Sequence, residues 1–324
     1  MRAIVVDRWM EPEQLQIGEA PEPELAPGSL RLDVRAAGCN FFDILMCQGR
    51  YQVKPPFPFI PGGEVGGVVS EVGEGVAGFA PGDRVCATTG VGGYAERVVV
   101  SPRGTWKIPD SMSFAEAAAF PVVYPTSYAA LVHRAHLAPG ETLLVHAAAG
   151  GVGSAAVQIG RALGARVLAT AGGADKLEVA REAGAELAID YRAGDFVEPV
   201  LEATEGRGAD VIYDPVGGEV FDRSLKCIAW NGRLLVIGFA GGTIPSVRAN
   251  RILLKNVAVV GLHWGAYAQH EPERIPETFR ALFDLYEQGR IHPRIHAVRP
   301  LAEASKALVE LAGRRTVGKL VLEP

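Results

Sequence analysis

Short apolar runs alternate with amphipathic stretches through the middle of the chain. The apolar runs predict six strands, at 143–146, 166–170, 186–189, 210–214, 233–238 and 257–261. A run as short and apolar as Leu143 to Val145 is typical of a strand buried on both faces of a sheet. Because helical segments separate these runs, the pattern predicts an α/β fold with a doubly wound parallel six-stranded sheet.

The first 120 or so residues follow a different pattern, in which alternating apolar and polar positions are bounded by turn residues. Residues 30–38 and 94–100 alternate in this way, as expected for strands of a β-rich domain. Beyond the sixth strand, a helix is predicted over about 274–288, followed by a strand over 318–322 that returns to the first domain. The predicted domains are therefore 1–121 with 264–324, and 122–263.

A glycine turn separates the first two strands of the predicted sheet. Ala148 to Gly153 reads A-x-G-x-x-G and opens an apolar helix that is expected to end at Gly164. Glycines at such a turn let the backbone approach a pyrophosphate at the helix N-terminus. Ala148 replaces the first glycine of the usual pattern, but the required strand–turn–helix context is present. The turn predicts dinucleotide binding.

The residues at the end of the second strand indicate which dinucleotide binds, NAD or NADPH. Domains specific for NAD usually carry Asp or Glu there, about 20 residues past the glycine turn, to bond the ribose 2′-hydroxyl. Residues 170–173 read TAGG, and no carboxylate follows until Asp175. A small neutral loop leaves room for a 2′-phosphate, for which Lys176 and Arg192 are candidate cationic partners. NADPH is the predicted cofactor.

The composition is that of a globular protein and does not identify a substrate. The 324 residues suffice for two domains, and 48% hydrophobic with 21% charged residues is typical of a globular protein. A formal net charge of −5 gives no reason to expect nucleic acid or an anionic membrane as partner. The four cysteines lack C-x-x-C spacing, and neither a spanning segment nor a signal peptide is apparent. A cytoplasmic enzyme is expected.

Several segments together resemble a known family. Residues 140–161, GETLLVHAAAGGVGSAAVQIGR, resemble the signature of the zinc-free NADPH:quinone oxidoreductases of the medium-chain dehydrogenase/reductase superfamily. Supporting segments are AAGCNFFD at 36–43, QGRY at 48–51, PGGEVGGVV at 61–69, PTSYAAL at 125–131 and YDPVGG at 213–218. GLHWGAY at 261–267 is most similar to a quinone-oxidoreductase-like subgroup. The resemblance implies a GroES-like β-rich catalytic domain beside a Rossmann domain.

The same resemblance argues against a catalytic zinc. Asn40 stands where the zinc alcohol dehydrogenases of this superfamily have a cysteine, three residues before the acid Asp43. Gly63 stands where they have a metal-binding histidine, and Cys39 is one residue off register. Because a catalytic zinc requires three protein ligands from Cys, His or carboxylate, no metal is expected.

The resemblance also implies roles for individual residues. Asn40, Asp43 and Tyr51 are the implied catalytic residues: Asn40 as an amide donor, Asp43 as support for its loop or as a turn cap, and Tyr51 as a proton donor or a residue that packs over the cofactor. The implied cofactor-binding positions are Asn40, Thr126, Ala149, Gly150, Gly151, Val152, Gly153, Thr170, Gly172, Lys176, Tyr191, Val216, Phe239 and Leu262.

A site without a metal suits an acceptor that is already electrophilic. The leading hypothesis is an NADPH-dependent reductase that transfers hydride to a quinone. Reduction of α,β-unsaturated carbonyls or enoyl thioesters is the alternative, and a non-catalytic NADPH-binding protein is a third. The strand at 257–261 is apolar and is expected at the sheet edge, which predicts a homodimer through that strand.

Overall fold

The computed structural model describes residues 1–324, which form two compact units. The first unit comprises Met1–Val122 and Pro293–Pro324, and the second comprises Val123–His292. Residues 264–292, which the sequence analysis assigns to the first domain, therefore lie in the second unit. They belong there because the helix over 274–287 buries Thr278, whose Oγ1 lies 3.1 Å from His133 Nε2.

Most of the regular elements in the N-terminal part of the first unit are strands. Its elements are β1 Arg2–Ile4, β2 Ile17–Glu19, β3 Leu30–Gly38, α1 Phe41–Cys47, β4 Glu64–Val72, β5 Arg84–Thr88, β6 Arg97–Val100, β7 Thr105–Lys107 and α2 Phe114–Ala118. In β3 the apolar positions Leu30, Leu32 and Val34 are buried and the residues between them are partly exposed. The alternation that predicted this strand therefore places one of its faces in the core.

The second unit alternates strands and helices. Its elements are α3 Val123–Tyr128, a π-helix Ala129–Arg134, β8 Thr142–Val145, α4 Gly151–Ala162, β9 Arg166–Ala171, α5 Ala174–Glu182, β10 Leu187–Asp190, α6 Val197–Ala203, β11 Ala209–Asp214, α7 Gly218–Cys227, β12 Ile228–Val236, α8 Ala249–Lys255, β13 Ala258–Gly261, α9 Tyr267–His270 and α10 Arg274–Glu287. Gly164 adopts φ +84° just after α4, which confirms it as the glycine that ends this helix.

The six strands of the second unit form one parallel sheet in the order β10-β9-β8-β11-β12-β13. This is the strand order of a dinucleotide-binding domain, so the predicted fold is confirmed. Strand β12 begins at Ile228, five residues before the predicted start at Arg233. Asn231 and Gly232 give that segment the appearance of a turn, yet the strand continues through them with Asn231 at φ +63°.

The C-terminal segment completes the first unit with β14 Ile295–Pro300, α11 Ala304–Ala312 and β15 Lys319–Glu323. Strand β15 pairs antiparallel with β3 and parallel with β14, in a seven-stranded sheet that also contains β4, β5, β6 and β7. The predicted return of the chain to the first domain is confirmed. None of the helices is both long enough and apolar enough to span a membrane.

Candidate active site

Most of the predicted cofactor residues of the second unit lie at the carboxyl edge of its sheet. Each strand ends shortly before at least one of them: β8 before Ala149–Gly153, β9 before Gly172, β10 before Tyr191, β11 before Val216, β12 before Phe239 and β13 before Leu262. In a parallel sheet the carboxyl ends share one edge, where ligands bind in this fold. The topology therefore gathers loops that are far apart in the chain, from Ala149 to Leu262.

The glycine turn after β8 is shaped by close backbone approach. Ala147 adopts φ +50°, and a Cβ atom on Gly153 would overlap the Ala147 carbonyl oxygen. Only glycine fits at this position. Helix α4 then begins at Gly151 with Gly150 as its N-cap and no side-chain cap. Because the first amides of a helix have no intrahelical acceptor, they remain available to an anion.

A buried histidine stabilises the base of this turn. His146 Nε2 lies 2.8 Å from Ser224 Oγ, and Ser224 donates its own hydrogen to Val220 O at 2.7 Å. His146 Nε2 is therefore the donor to Ser224, and Nδ1 accepts from Thr170 Oγ1 at 2.9 Å. Burial lowers the pKa of His146 to about 3, so the ring is neutral. The Thr170 hydroxyl is used in this contact, and the Thr170 carbonyl oxygen accepts a hydrogen bond from Ala148 N at 3.0 Å, so Thr170 anchors the glycine turn.

The end of β9 meets the loop after β10 at a glycine. A Cβ atom on Gly172 would lie 2.7 Å from both Arg192 Nε and Tyr191 Oη, so these two side chains rest on Gly172. Gly173 is the N-cap of α5, and Lys176 lies half-buried in the first turn of that helix. A guanidinium and a phenol thus lie close to the N-terminus of a helix whose first turn carries a lysine, an arrangement suited to a phosphate.

The remaining cofactor positions lie in the loops after β11, β12 and β13 and in α3. Asp214 Oδ1 accepts hydrogen bonds from Val216 N at 2.8 Å and Gly217 N at 3.0 Å, which fixes the loop after β11. Phe239 is 39% exposed and is therefore not a core residue. Leu262 and Thr126 are half-buried. Each of these positions keeps some surface that a ligand could contact.

The predicted catalytic residues of the first unit surround the start of α1. Asn40 is the N-cap of this helix, and Asp43 Oδ2 accepts from Asn40 N at 2.8 Å and from Tyr94 Oη at 2.9 Å. Asp43 Oδ1 is buried without a hydrogen-bond partner. Burial raises the pKa of Asp43 to about 7. Asp43 thus supports the loop from inside the core.

Tyr51 follows α1 and is only partly buried. Its ring lies 5.6 Å, centroid to centroid, from that of Phe42, and its hydroxyl has no hydrogen-bond partner in the protein. Burial raises the pKa of Tyr51, and the nearby Asp43 charge raises it further. The phenol therefore stays protonated at neutral pH and can donate its hydrogen to a ligand.

Asn40 also belongs to a buried cluster with Glu64 and Lys319. Lys319 Nζ lies 2.6 Å from Asn40 Oδ1, 2.7 Å from Glu64 Oε1 and 2.7 Å from Cys39 O. Asn40 Nδ2 donates to Glu64 Oε1 at 2.8 Å. Glu64 is fully buried, and Lys319 is only 5% exposed. The cluster therefore contains a buried cation, Lys319, and a buried anion, Glu64.

The residues at this cluster do not fit a zinc ion. The lysine ammonium occupies the oxygen ligands that Asn40 and Glu64 could offer a metal, and a Cβ atom on Gly63 would overlap the Phe42 ring. A histidine at position 63 would therefore require Phe42 to move. No group of three or more His, Cys, Asp or Glu side chains is arranged to hold a metal.

Sequence reasoning did not assign roles to Glu64, Tyr94 or Lys319. Lys319 is the first residue of the apolar strand KLVLE. A lysine at the start of a strand normally indicates an exposed side chain. Tyr94 begins the segment 94–100, whose alternation predicts only a strand. The one available signal was Glu64 among glycines and valines, because a carboxylate in a buried strand requires a partner.

Comparison with known proteins agrees with both units. The family pattern described as alcohol dehydrogenase GroES-like domain matches residues 26–110, and that described as zinc-binding dehydrogenase matches residues 151–287. A quinone oxidoreductase-like protein 2 homolog from Nematostella vectensis is 42% identical over 301 residues, which cover 92% of this chain and 82% of that protein.

Solved structures give the same result. A probable oxidoreductase from Mycobacterium abscessus is 38% identical with a TM-score of 0.91, over 100% of this chain and 99% of that one. The Escherichia coli quinone oxidoreductase, solved in complex with NADPH, is 32% identical with a TM-score of 0.92 and full coverage of both chains. The chain therefore belongs to the quinone oxidoreductase-like family of the medium-chain dehydrogenase/reductase superfamily and is an oxidoreductase.

Proposed function

We propose that this oxidoreductase uses NADPH, works without zinc and transfers hydride to a quinone. The observation that carries the proposal is the gathering of the glycine turn and the Gly172, Tyr191 and Arg192 cluster at one edge of the parallel sheet. The NADPH complex of the similar Escherichia coli enzyme supports the choice of cofactor. When bound, NADPH supplies the hydride.

The proposed roles of the second unit follow from its charges. The uncapped amides at the start of α4 would bind the pyrophosphate, since they point outward from a helix N-terminus. Arg192, Lys176 and Tyr191 would bind the 2′-phosphate, which NADH lacks. Thr126, Val216, Phe239 and Leu262 would contact the remainder of the cofactor.

The first unit would bind the quinone acceptor and donate hydrogen bonds to it. A quinone that gains hydride develops negative charge on oxygen, and hydrogen-bond donors stabilise that charge. Asn40 and Tyr51 are the candidate donors, and Asp43 fixes the Asn40 backbone. The unpartnered Tyr51 hydroxyl also favours the alternative acceptors, α,β-unsaturated carbonyls and enoyl thioesters, because the enolate they form needs a proton donor.

Steady-state assays with NADPH and a panel of quinones, enones and enoyl-CoA esters test the proposal. For a quinone reductase, Tyr51→Phe should lower kcat on quinones by less than about tenfold, because water can protonate the product. For an enone reductase, the loss should reach about a hundredfold or more. Loss of NADPH binding in this variant would instead identify Tyr51 as a packing residue. Activity that chelators abolish would contradict the zinc-independent proposal.

We further propose that the protein works in the cytoplasm as a homodimer. Strand β13 is the edge of the parallel sheet, carries no charged residue and lies partly exposed. Trp230, Leu253 and Leu254, on the neighbouring β12 and α8, are each about 70% exposed, at 68%, 76% and 72%. Pairing β13 with its twin across a twofold axis would cover this edge. Light scattering should give a dimer, and a monomer at micromolar concentration would contradict the proposal.

A further inference from the structure

The ammonium of Lys319 is held by a complete set of acceptors. Its three contacts, with Cys39 O at 2.7 Å, Asn40 Oδ1 at 2.6 Å and Glu64 Oε1 at 2.7 Å, match the three hydrogens that an ammonium carries. Burying a charge is unfavourable unless it is paired and hydrogen-bonded, and both conditions hold here. The position of this cation is therefore well defined.

Lys319 determines which way the Asn40 amide faces. An ammonium can only donate, so the amide turns its oxygen towards Lys319 and its NH₂ group away. One of the two Nδ2 hydrogens is donated to Glu64 Oε1 at 2.8 Å. The other is directed at Gly38 O at 3.4 Å, which is long for a hydrogen bond of this kind. One hydrogen of the amide thus remains weakly engaged.

The partners of Lys319 are themselves fixed. Asn40 N donates to Asp43 Oδ2 at 2.8 Å, and Glu64 Oε2 accepts from Val122 N at 2.8 Å. Glu64 is the first residue of β4 and Lys319 is the first residue of β15, so both charges are carried by strands of the seven-stranded sheet. Asn40 is 7% exposed, the most accessible of these side chains. The cluster therefore presents the Asn40 amide from a rigid base.

We propose that Lys319 is a positioning residue that orients and polarises Asn40 as a hydrogen-bond donor to the acceptor's carbonyl oxygen. A cation on the amide oxygen withdraws electron density from the N–H groups, and connected hydrogen bonds strengthen one another in a low dielectric. The donor would then bind most strongly when the acceptor oxygen becomes negative. This inference rests on the proposed function, because it concerns the same acceptor.

A double-mutant cycle tests the inference with NADPH and a 1,4-quinone. Asn40→Ala should lower kcat by about a hundredfold or more, as for loss of one oxyanion donor, and Lys319→Met by about tenfold or more. If Lys319 acts through Asn40, the double variant should lose no more than Asn40→Ala alone. The dissociation constant of NADPH should stay unchanged in Lys319→Met, which removes a side chain outside the predicted cofactor positions. Lys306→Met, which removes an exposed lysine of the same unit, is the control and should keep full activity.

A second variant allows for the instability of an unpaired Glu64. Lys319→Met combined with Glu64→Gln removes both charges together, which proteins tolerate better than the loss of one. It should show the same loss of kcat as Lys319→Met. Additive losses in the cycle, parallel loss of NADPH affinity, or full activity of the Lys319 variants would overturn the inference while leaving the proposed function intact. A wild-type protein that reduces no quinone with NADPH would overturn both.

Discussion

The two units build their candidate sites in different ways. In the second unit, each loop of the site follows a strand of one parallel sheet, and the backbone topology alone brings the loops together. In the first unit, Asn40, Glu64 and Lys319 come from distant parts of the chain and are joined by a buried ion pair. The candidate site at the carboxyl edge of the parallel sheet therefore depends on strand order. The cluster of Asn40, Glu64 and Lys319 depends instead on charge pairing inside a core.

This contrast predicts that the first unit is the more sensitive to loss of a single charge. Glu64→Ala would leave Lys319 buried without its counter-ion, at a cost of about 3–5 kcal/mol in the free energy of unfolding. Urea denaturation followed by circular dichroism measures this loss. Glu96→Ala is the matched control, since it removes an acid whose 2.7 Å ion pair with Arg2 is exposed. The control should lose at most about 1 kcal/mol, and equal losses in the two variants would contradict the contrast.

The same difference explains what the sequence could predict. The six strands and the glycine turn were predictable because each is encoded locally, by a short apolar run or by glycines at fixed spacing. Gly153 illustrates this, because the backbone overlap that excludes a side chain arises within its own turn. The Asn40–Lys319 contact joins residues that are 279 positions apart, and no local pattern reports such a pair. The boundary at Pro293 was missed for a similar reason, since it depends on the packing of α10.

At the carboxyl edge of the parallel sheet, loss of a charge should change the affinity for the cofactor rather than the free energy of unfolding. Lys176→Ala removes a cation near the proposed 2′-phosphate and should weaken NADPH binding tenfold to a hundredfold, or about 1.5–3 kcal/mol. NADH binding should stay nearly unchanged, because NADH has no phosphate at this position. Fluorescence titration with both nucleotides measures the two affinities. Arg181→Ala, at the other end of α5, is the control and should change neither affinity. Equal weakening of both nucleotides would show that Lys176 is structural.

Two buried groups, Asp43 in the first unit and His146 in the second, should respond to acid in opposite ways. Asp43 in the first unit has its pKa raised by burial from 3.8 to about 7. Between these values the folded state holds a proton that the unfolded state has released, so its contribution to stability falls as pH rises. Burial lowers the pKa of His146 in the second unit from 6.5 to about 3. There the unfolded state holds the extra proton, so stability rises with pH.

From pH 5 to pH 7 each group changes the free energy of unfolding by about 2 kcal/mol, with opposite signs, and in the wild type the two nearly offset each other. Asp43→Asn should remove the falling contribution, so the stability of this variant relative to wild type should increase by about 2 kcal/mol over this range. His146→Gln should remove the rising contribution, so its relative stability should decrease by a similar amount. Urea denaturation at both pH values measures these differences, and comparison with wild type cancels the other titrating groups. Relative stabilities that do not change with pH would mean that neither group is held in the protonation state that its burial implies.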